Sequence, residues 1–298
     1  MDSVRDGTSF TCSYTHCKKH VSGLHARFMS GPKYRLNGSR LCGEACFRSQ
    51  CLLLAEYWLK AEFNMPPTER RHKLGLMLLE ARIISADQLE TVIESHKADH
   101  TRRVGDVVQA LGYATEKQIT YMLSRQEGLP WLDVELEQLP ADALVRVPPE
   151  VAVTSLIAPL EYNAILNELT VISACPVDRL AIDSLERMGQ CHINVFIGPE
   201  SKVRRLIARC YTTPLETRDA RSSLRRETEA IEPLVEAMTE FYRRATATNL
   251  EVARCRELLW LRATNAAGKH DWFVVLEPFT NEMILEWRRE STALAAAR

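Results

Sequence analysis

Cysteine carries the densest chemistry in this chain. Five of its nine cysteines fall within the first 51 residues, at Cys12, Cys17, Cys42, Cys46 and Cys51. Cys12 and Cys17 form a C-x4-C pair, and Cys42 and Cys46 form a C-x3-C pair. Two close thiol pairs offer the four soft ligands that a tetrahedral zinc ion takes. His16 and His20 could each replace one thiol, and Cys51 is expected to pack rather than ligate. A metal-free Cys-rich lobe and a redox pair are the other readings of this spacing. Cys175, Cys191, Cys210 and Cys255 stand in apolar or helical text and read as small buried hydrophobes. The first 11 residues are polar and lack a signal-peptide core, so the thiols are expected in a reducing compartment, the cytoplasm.

Positioning those thiols needs particular elements. Asn37-Gly38, between short apolar-polar alternations, predicts a tight hairpin, because both residues tolerate positive φ. Cys42-Gly-Glu-Ala-Cys46 opens a helical run over 47–63. The order knuckle, hairpin, helix resembles a treble-clef zinc finger, which implies a structural zinc on Cys12, Cys17, Cys42 and Cys46. A lobe of about 65 residues buries little surface, and a metal offsets that deficit. Lys18, Lys19, Arg27, Lys33, Arg35 and Arg40 lie in a stretch without Asp or Glu, and such a face can bind phosphates, so DNA binding, as a zinc-finger nucleic-acid-binding regulator, is the alternative role for the lobe. The whole chain, with 38 basic and 39 acidic residues, is not a uniformly basic nucleic-acid binder.

A second pattern begins after Met65-Pro-Pro, where prolines predict a linker. The run from Lys73 through Leu74 and Gly75 to Arg82 aligns with the run from Arg103 through Val104 and Gly105 to Gly112, at an offset of 30 residues. Downstream, Ser85 matches Thr115, Gln88 matches Gln118 and Leu89 matches Ile119. Each copy predicts a helical hairpin, and Ser85-x-x-Gln88 and Thr115-x-x-Gln118 read as capping boxes that start the second helix.

This tandem motif resembles the MshEN family, the N-terminal domain of type II secretion and type IV pilus assembly ATPases. The resemblance runs over about residues 70–211, through Gly128-Leu-Pro-Trp, Val147-Pro-Pro-Glu150 and Ile193-Asn-Val-Phe-Ile-Gly-Pro-Glu200. It implies that the two motifs form a surface for cyclic di-GMP, with Lys73, Leu74, Gly75, Arg103, Val104, Gly105, Gly112 and Gln126 as ligand-binding positions. Arginine there offers a planar cation, glycine a close backbone approach, and apolar side chains a cover for the bases. The first copy departs from the pattern: Lys73 stands for Arg, Arg82 for Gly and His96 for Gln. On the bland reading the glycines and leucines only build the hairpins, and the domain is a ligand-free docking adaptor for a secretion or pilus ATPase.

No G-x4-G-K-[ST] phosphate loop occurs; the single Gly-Lys pair, Gly268-Lys269, has Ala263 where the loop needs glycine. No catalytic constellation stands out either, so the expectation is a non-enzymatic bacterial regulator or adaptor. No apolar run approaches the ~20 residues of a membrane span. The expected organisation is α+β and multidomain. It comprises a zinc lobe at 1–66, an MshEN-like domain at 67–211 (helical repeat 70–126, α/β lobe 127–211), a linker at 212–226 and an α-β-β-α tail at 227–298. In that tail Trp260, Trp272 and Trp287 mark a candidate protein interface.

Overall fold

A computed structural model of the chain describes residues 9–23, 34–60, 73–135, 139–211, 221–224, 231–256 and 258–276. In chain order, β1 (Phe10–Thr11), β2 (His20–Val21), β3 (Arg35–Leu36) and β4 (Ser39–Arg40) precede helix α1 (Glu44–Lys60). Next come α2 (Leu74–Glu80), α3 (Ala86–Ala98), α4 (Val104–Ala110), α5 (Glu116–Glu127), α6 (Ala141–Leu144) and α7 (Pro149–Ser155). A mixed segment follows: β5 (Ile157–Asn163), β6 (Glu168–Ser173), α8 (Arg179–Gly189), β7 (His192–Ile197) and α9 (Glu200–Cys210). Last are β8 (Arg221–Leu224), α10 (Ile231–Arg244), β9 (Asn249–Cys255), β10 (Leu258–Asn265) and β11 (Gly268–Leu276). Among the described residues no helix is long and apolar enough to cross a membrane.

The elements form two compact units, and the first is discontinuous, joining 1–64 to 216–287. The sequence pattern predicts a Cys-rich lobe separate from the tail, whereas the structure runs one sheet through both, in the order β4-β3-β9-β10-β11-β8. The join is parallel, with Leu36 opposite Leu250. Asn37 fixes it: its N–H donates to the Leu250 carbonyl at 2.8 Å, and its Oδ1 accepts from the Val252 N–H at 2.8 Å. Strands of two residues are marginal alone, so the hairpin gains its stability as an edge extension of a larger sheet. Asn37 and Gly38 do take positive φ, 48° and 79°, as the hairpin requires. On one face of the sheet, Phe47 and Cys51 of α1 and Leu234, Met238 and Tyr242 of α10 pack with Leu250, Val252, Leu259 and Leu261.

The tail also differs from the expected α-β-β-α order. A third strand, β9, lies between α10 and β10, and β8 occupies part of the stretch read as a linker. The closing helix of the expected tail and Trp287 lie outside the described residues. Trp260 is fully buried, so it is core and not an interface anchor. Its indole N–H donates to Asp271 at 2.9 Å, and Arg262 grips the same carboxylate at 2.7 and 2.9 Å.

In the second unit, chiefly 65–215, the 30-residue offset is reproduced in three dimensions. Helices α2 and α4 begin at Leu74 and Val104, and α3 and α5 at Ala86 and Glu116. Both capping boxes are formed, on Ser85 and on Thr115. The first helix of each copy ends alike. Ile83 N–H bonds to Leu78 and Arg82 N–H to Leu79; in the second copy Tyr113 bonds to Val108 and Gly112 to Gln109, all at 2.9–3.0 Å. This is the Schellman closure, which places the intervening residue in the left-handed region. Glycine fills that place in copy two, with φ 70°, and Arg82 is forced into it in copy one, with φ 55°.

Arg82→Gly is therefore expected to stabilise this unit by up to about 1 kcal/mol, because glycine reaches that φ without a Cβ penalty. Gly112→Ala should cost about the same in the opposite direction. A Cβ at Gly112 meets nothing within 4 Å, so the cost there is backbone alone. Urea midpoints of the two variants check this; midpoints that do not move in opposite directions would refute it.

The rest of the unit is a three-stranded sheet in the order β5-β6-β7, antiparallel then parallel, with α8 as the crossover. The β5–β6 turn falls at 164–167. Asn163 Oδ1 accepts from the N–H groups of Ile165 and Leu166, and Asn167 takes φ 54°, which together close the turn there.

Candidate functional sites in the two units

The thiol site is built from three local structures. In the β1–β2 knuckle, Cys12 N–H donates to the Lys19 carbonyl at 2.9 Å and Cys17 N–H to the Tyr14 carbonyl at 3.0 Å. Beyond β4, Cys42 and Cys46 flank the start of α1, one helical turn apart. The sulfurs of Cys12, Cys17, Cys42 and Cys46 all lie within 4.8 Å of one another, with Cys17 and Cys42 at 3.5 Å and Cys42 and Cys46 at 3.6 Å. Tetrahedral zinc with Zn–S near 2.3 Å requires sulfurs about 3.8 Å apart, so this donor set fits the ion in kind and spacing. The thiol of Cys17 is drawn down to about 7, first by the N–H of Lys19 and then by its neighbours' thiols. Burial pushes Cys42 and Cys46 upward. A cation held by all four sulfurs would displace their remaining protons. His16 and His20 are exposed and stand outside the cluster, while Cys51 is fully buried, its thiol raised to about 12 by burial.

The second site is a cleft of about 740 Å³ between the helical repeat and the α/β lobe, within one unit. It opens beyond the carboxyl ends of the parallel strands β6 and β7, the usual ligand position in such sheets. Leu74, Arg103, Val104, Gly105 and Gln126 line it from the repeat side. Ile119 and Leu123 add apolar wall, and Cys175, Pro176, Gly198, Glu200, Ser201 and Arg204 close the far side. The Arg103 guanidinium, about half exposed, donates to the Cys175 carbonyl at 3.2 Å and lies 3.8 Å from Glu200.

The expected ligand residues thus divide. Arg103, Val104, Gly105 and Gln126 of the second copy gather at the cleft with Leu74, while Lys73 and Gly75 of the first copy and Gly112 of the second are not among its lining residues. Gly75 and Gly105 have a packing role that sequence reasoning weighed as the bland alternative. A Cβ at Gly75 would come within 2.7 Å of Leu89, and one at Gly105 within 3.2 Å of Ile119. These two contacts are equivalent across the repeat, and they let each first helix lean on its partner.

Sequence reasoning missed the far wall. Cys175 contributes a backbone oxygen, which has no residue-type signature. Glu200 and Ser201 carry no site signal of their own, although Gly198-Pro199 at the end of a parallel strand was an available one. A Cβ at Gly198 would fall 2.3 Å from the buried Ile172 side chain, so any larger residue there would have to displace it.

With this geometry in view, residues 127–217 match the MshEN domain family, a span that begins at the last residue of α5. The chain is 29% identical over 139 residues to the type IV pilus assembly ATPase PilB of Myxococcus xanthus (strain DK1622), covering 47% of this chain and 24% of that protein. It is 26% identical over 134 residues to bacteriophage adsorption protein B of Escherichia coli (strain K12), covering 44% of this chain and 17% of that one. The chain thus spans a quarter or less of the length of these relatives. Among solved structures, MshE with cdg is 27% identical and covers 47% of this chain and 100% of its own, at a TM-score of 0.41. The N-terminal domain of XpsE is 18% identical and covers 48% and 98%, at a TM-score of 0.38.

Proposed function

We propose, from the MshEN domain carried by residues 127–217, that the second unit is a cyclic di-GMP-binding module in a non-catalytic bacterial regulator or adaptor of the cytoplasm. One observation supports this most: Arg103, Val104, Gly105 and Gln126, four of the five motif residues of the second copy, line a single cleft of about 740 Å³. That volume suits a drug-sized to dinucleotide-sized ligand. Arg103 supplies the planar cation for a guanine edge or a phosphate, and Gly105 leaves the backbone bare. Leu74, Val104, Ile119 and Leu123 give the bases apolar walls. Lys73, Gly75 and Gly112 serve the site by shaping the hairpins. Calorimetric titration with cyclic di-GMP is expected to give low-micromolar or tighter binding; no heat at high ligand overturns the reading.

The first unit is held, on this reading, by a structural zinc on Cys12, Cys17, Cys42 and Cys46. Bound there, the ion supplies cross-linking and charge neutralisation for the knuckle, the hairpin end and the start of α1.

A docking adaptor for a secretion or pilus ATPase is the second reading. Arg82 in a glycine conformation and Lys73 outside the cleft favour it, since both mark a first copy that has lost motif chemistry. Co-purification with such a motor in the absence of nucleotide is its expected result.

A further inference from the structure

The cleft carries its own anions. Its lining includes two arginines, Arg103 and Arg204, against four carboxylates, Asp106, Glu116, Glu127 and Glu200. Glu127 is paired with Arg179 at 3.3 Å. Glu200 lies 3.8 Å from Arg103 and 2.7 Å from Arg204, so one carboxylate engages both cleft arginines. Helix α9 has Pro199 at its N-cap and no side-chain cap of its own. Glu116 of α5 provides one from across the cleft. Its Oε1 accepts from the Ser201 N–H at 2.9 Å, and its Oε2 accepts from the Ser201 hydroxyl at 2.5 Å. The amide, hydroxyl and cations that would receive a phosphate are thus already engaged by protein carboxylates.

We propose that Glu116 and Glu200 are an internal plug, and that a phosphate-bearing ligand enters the cleft by exchanging with their carboxylates. The contacts are of the exchangeable kind. Side chains of Arg103, Arg204 and Glu200 are 58%, 49% and 36% exposed, and pairs so exposed are weak. The exchange also has a mechanical consequence. Glu116 belongs to the helical repeat and Ser201 to the α/β lobe, so ligand entry replaces a direct link between these parts with one through the ligand. Affinity is therefore set as much by the two glutamates as by Arg103.

This inference rests on the cleft being the ligand site, and its test separates the two. Glu116→Gln and Glu200→Gln each remove a charge while keeping a hydrogen-bonding oxygen, and thermal melting confirms the fold. Each variant is titrated with inorganic pyrophosphate and with cyclic di-GMP beside the unmodified chain. Both are expected to bind pyrophosphate about tenfold more tightly than the parent, the effect of removing one like charge from a partly screened site. Gain for pyrophosphate with no dinucleotide binding by any form keeps the plug and removes the dinucleotide reading. Pyrophosphate affinity unchanged in both variants overturns the plug, even where the parent binds the dinucleotide.

Discussion

Cys46→Ser is expected to take bound zinc from one ion per chain to nearly none, and to lower the melting temperature of the first unit by about 10 °C or more. The size follows from what the four thiols connect. Cys12 and Cys17 sit on the knuckle, while Cys42 and Cys46 sit where the hairpin ends and α1 begins. Strands β1 to β4 are two residues each, too short to hold that arrangement by backbone pairing alone. Structural zinc contributes on the order of 10 kcal/mol of binding free energy in small fingers at neutral pH, and part of it reappears as unfolding stability. The loss should not reach the second unit, which has its own core on Leu78, Val92, Val107, Val108 and Ile119. Cys51→Ala is the informative companion. Its sulfur is fully buried in the core with Phe47 and Met238, so truncation should cost about 1–2 kcal/mol with zinc retained. Elemental analysis with calorimetry reads both variants. Full zinc content in Cys46→Ser would take Cys46 out of the ligand set, and a purified chain whose melting is indifferent to a strong chelator would remove the metal from the account.

What local pattern could convey, it conveyed well. The repeat was legible because its signals are short-range: two capping boxes and apolar positions at helical spacing lie within about 12 residues of their partners. Even the defect was legible, since a Gly-to-Arg change at a helix end predicts a strained φ, and Arg82 carries one. The thiol cluster was also legible, through the two close pairs and the Asn37-Gly38 turn between them. What escaped is long-range. Leu36 pairs with Leu250 across more than 200 residues, and no window of sequence reports which distant edge a two-residue strand will join. Strand β9 was missed for a related reason. Its buried Arg254 looks like a surface residue, yet its guanidinium donates to the carbonyls of Arg256 and Trp58. The cleft was half legible: side chains of the second copy announced themselves, and the lobe's contribution through a carbonyl and a helix start did not.

Arg103→Ala should weaken cyclic di-GMP binding by about 30-fold or more and leave the melting temperature of the second unit within about 2 °C. The two halves of this expectation have separate grounds. In the unliganded chain Arg103 is 58% exposed and makes one hydrogen bond to a backbone carbonyl and one distant ion pair, both solvent-exposed and worth little to folding. Against a guanine edge or a phosphate the same guanidinium forms two charge-assisted bonds in a drier setting, worth about 1.5–3 kcal/mol each. Arg103→Lys keeps the charge and loses the fork, so it should recover only a small part of the affinity. Lys73→Ala supplies the contrast across the repeat. Lys73 is the first-copy counterpart of Arg103, yet it is exposed and does not line the cleft, so its removal should change affinity by less than about threefold. Equal losses from Arg103→Ala and Lys73→Ala would mean that the ligand spans both copies, and that the cleft of the second copy is not the site. Binding untouched by Arg103→Ala would refute the assignment outright, because no other cation on the repeat side lines the cleft among the described residues.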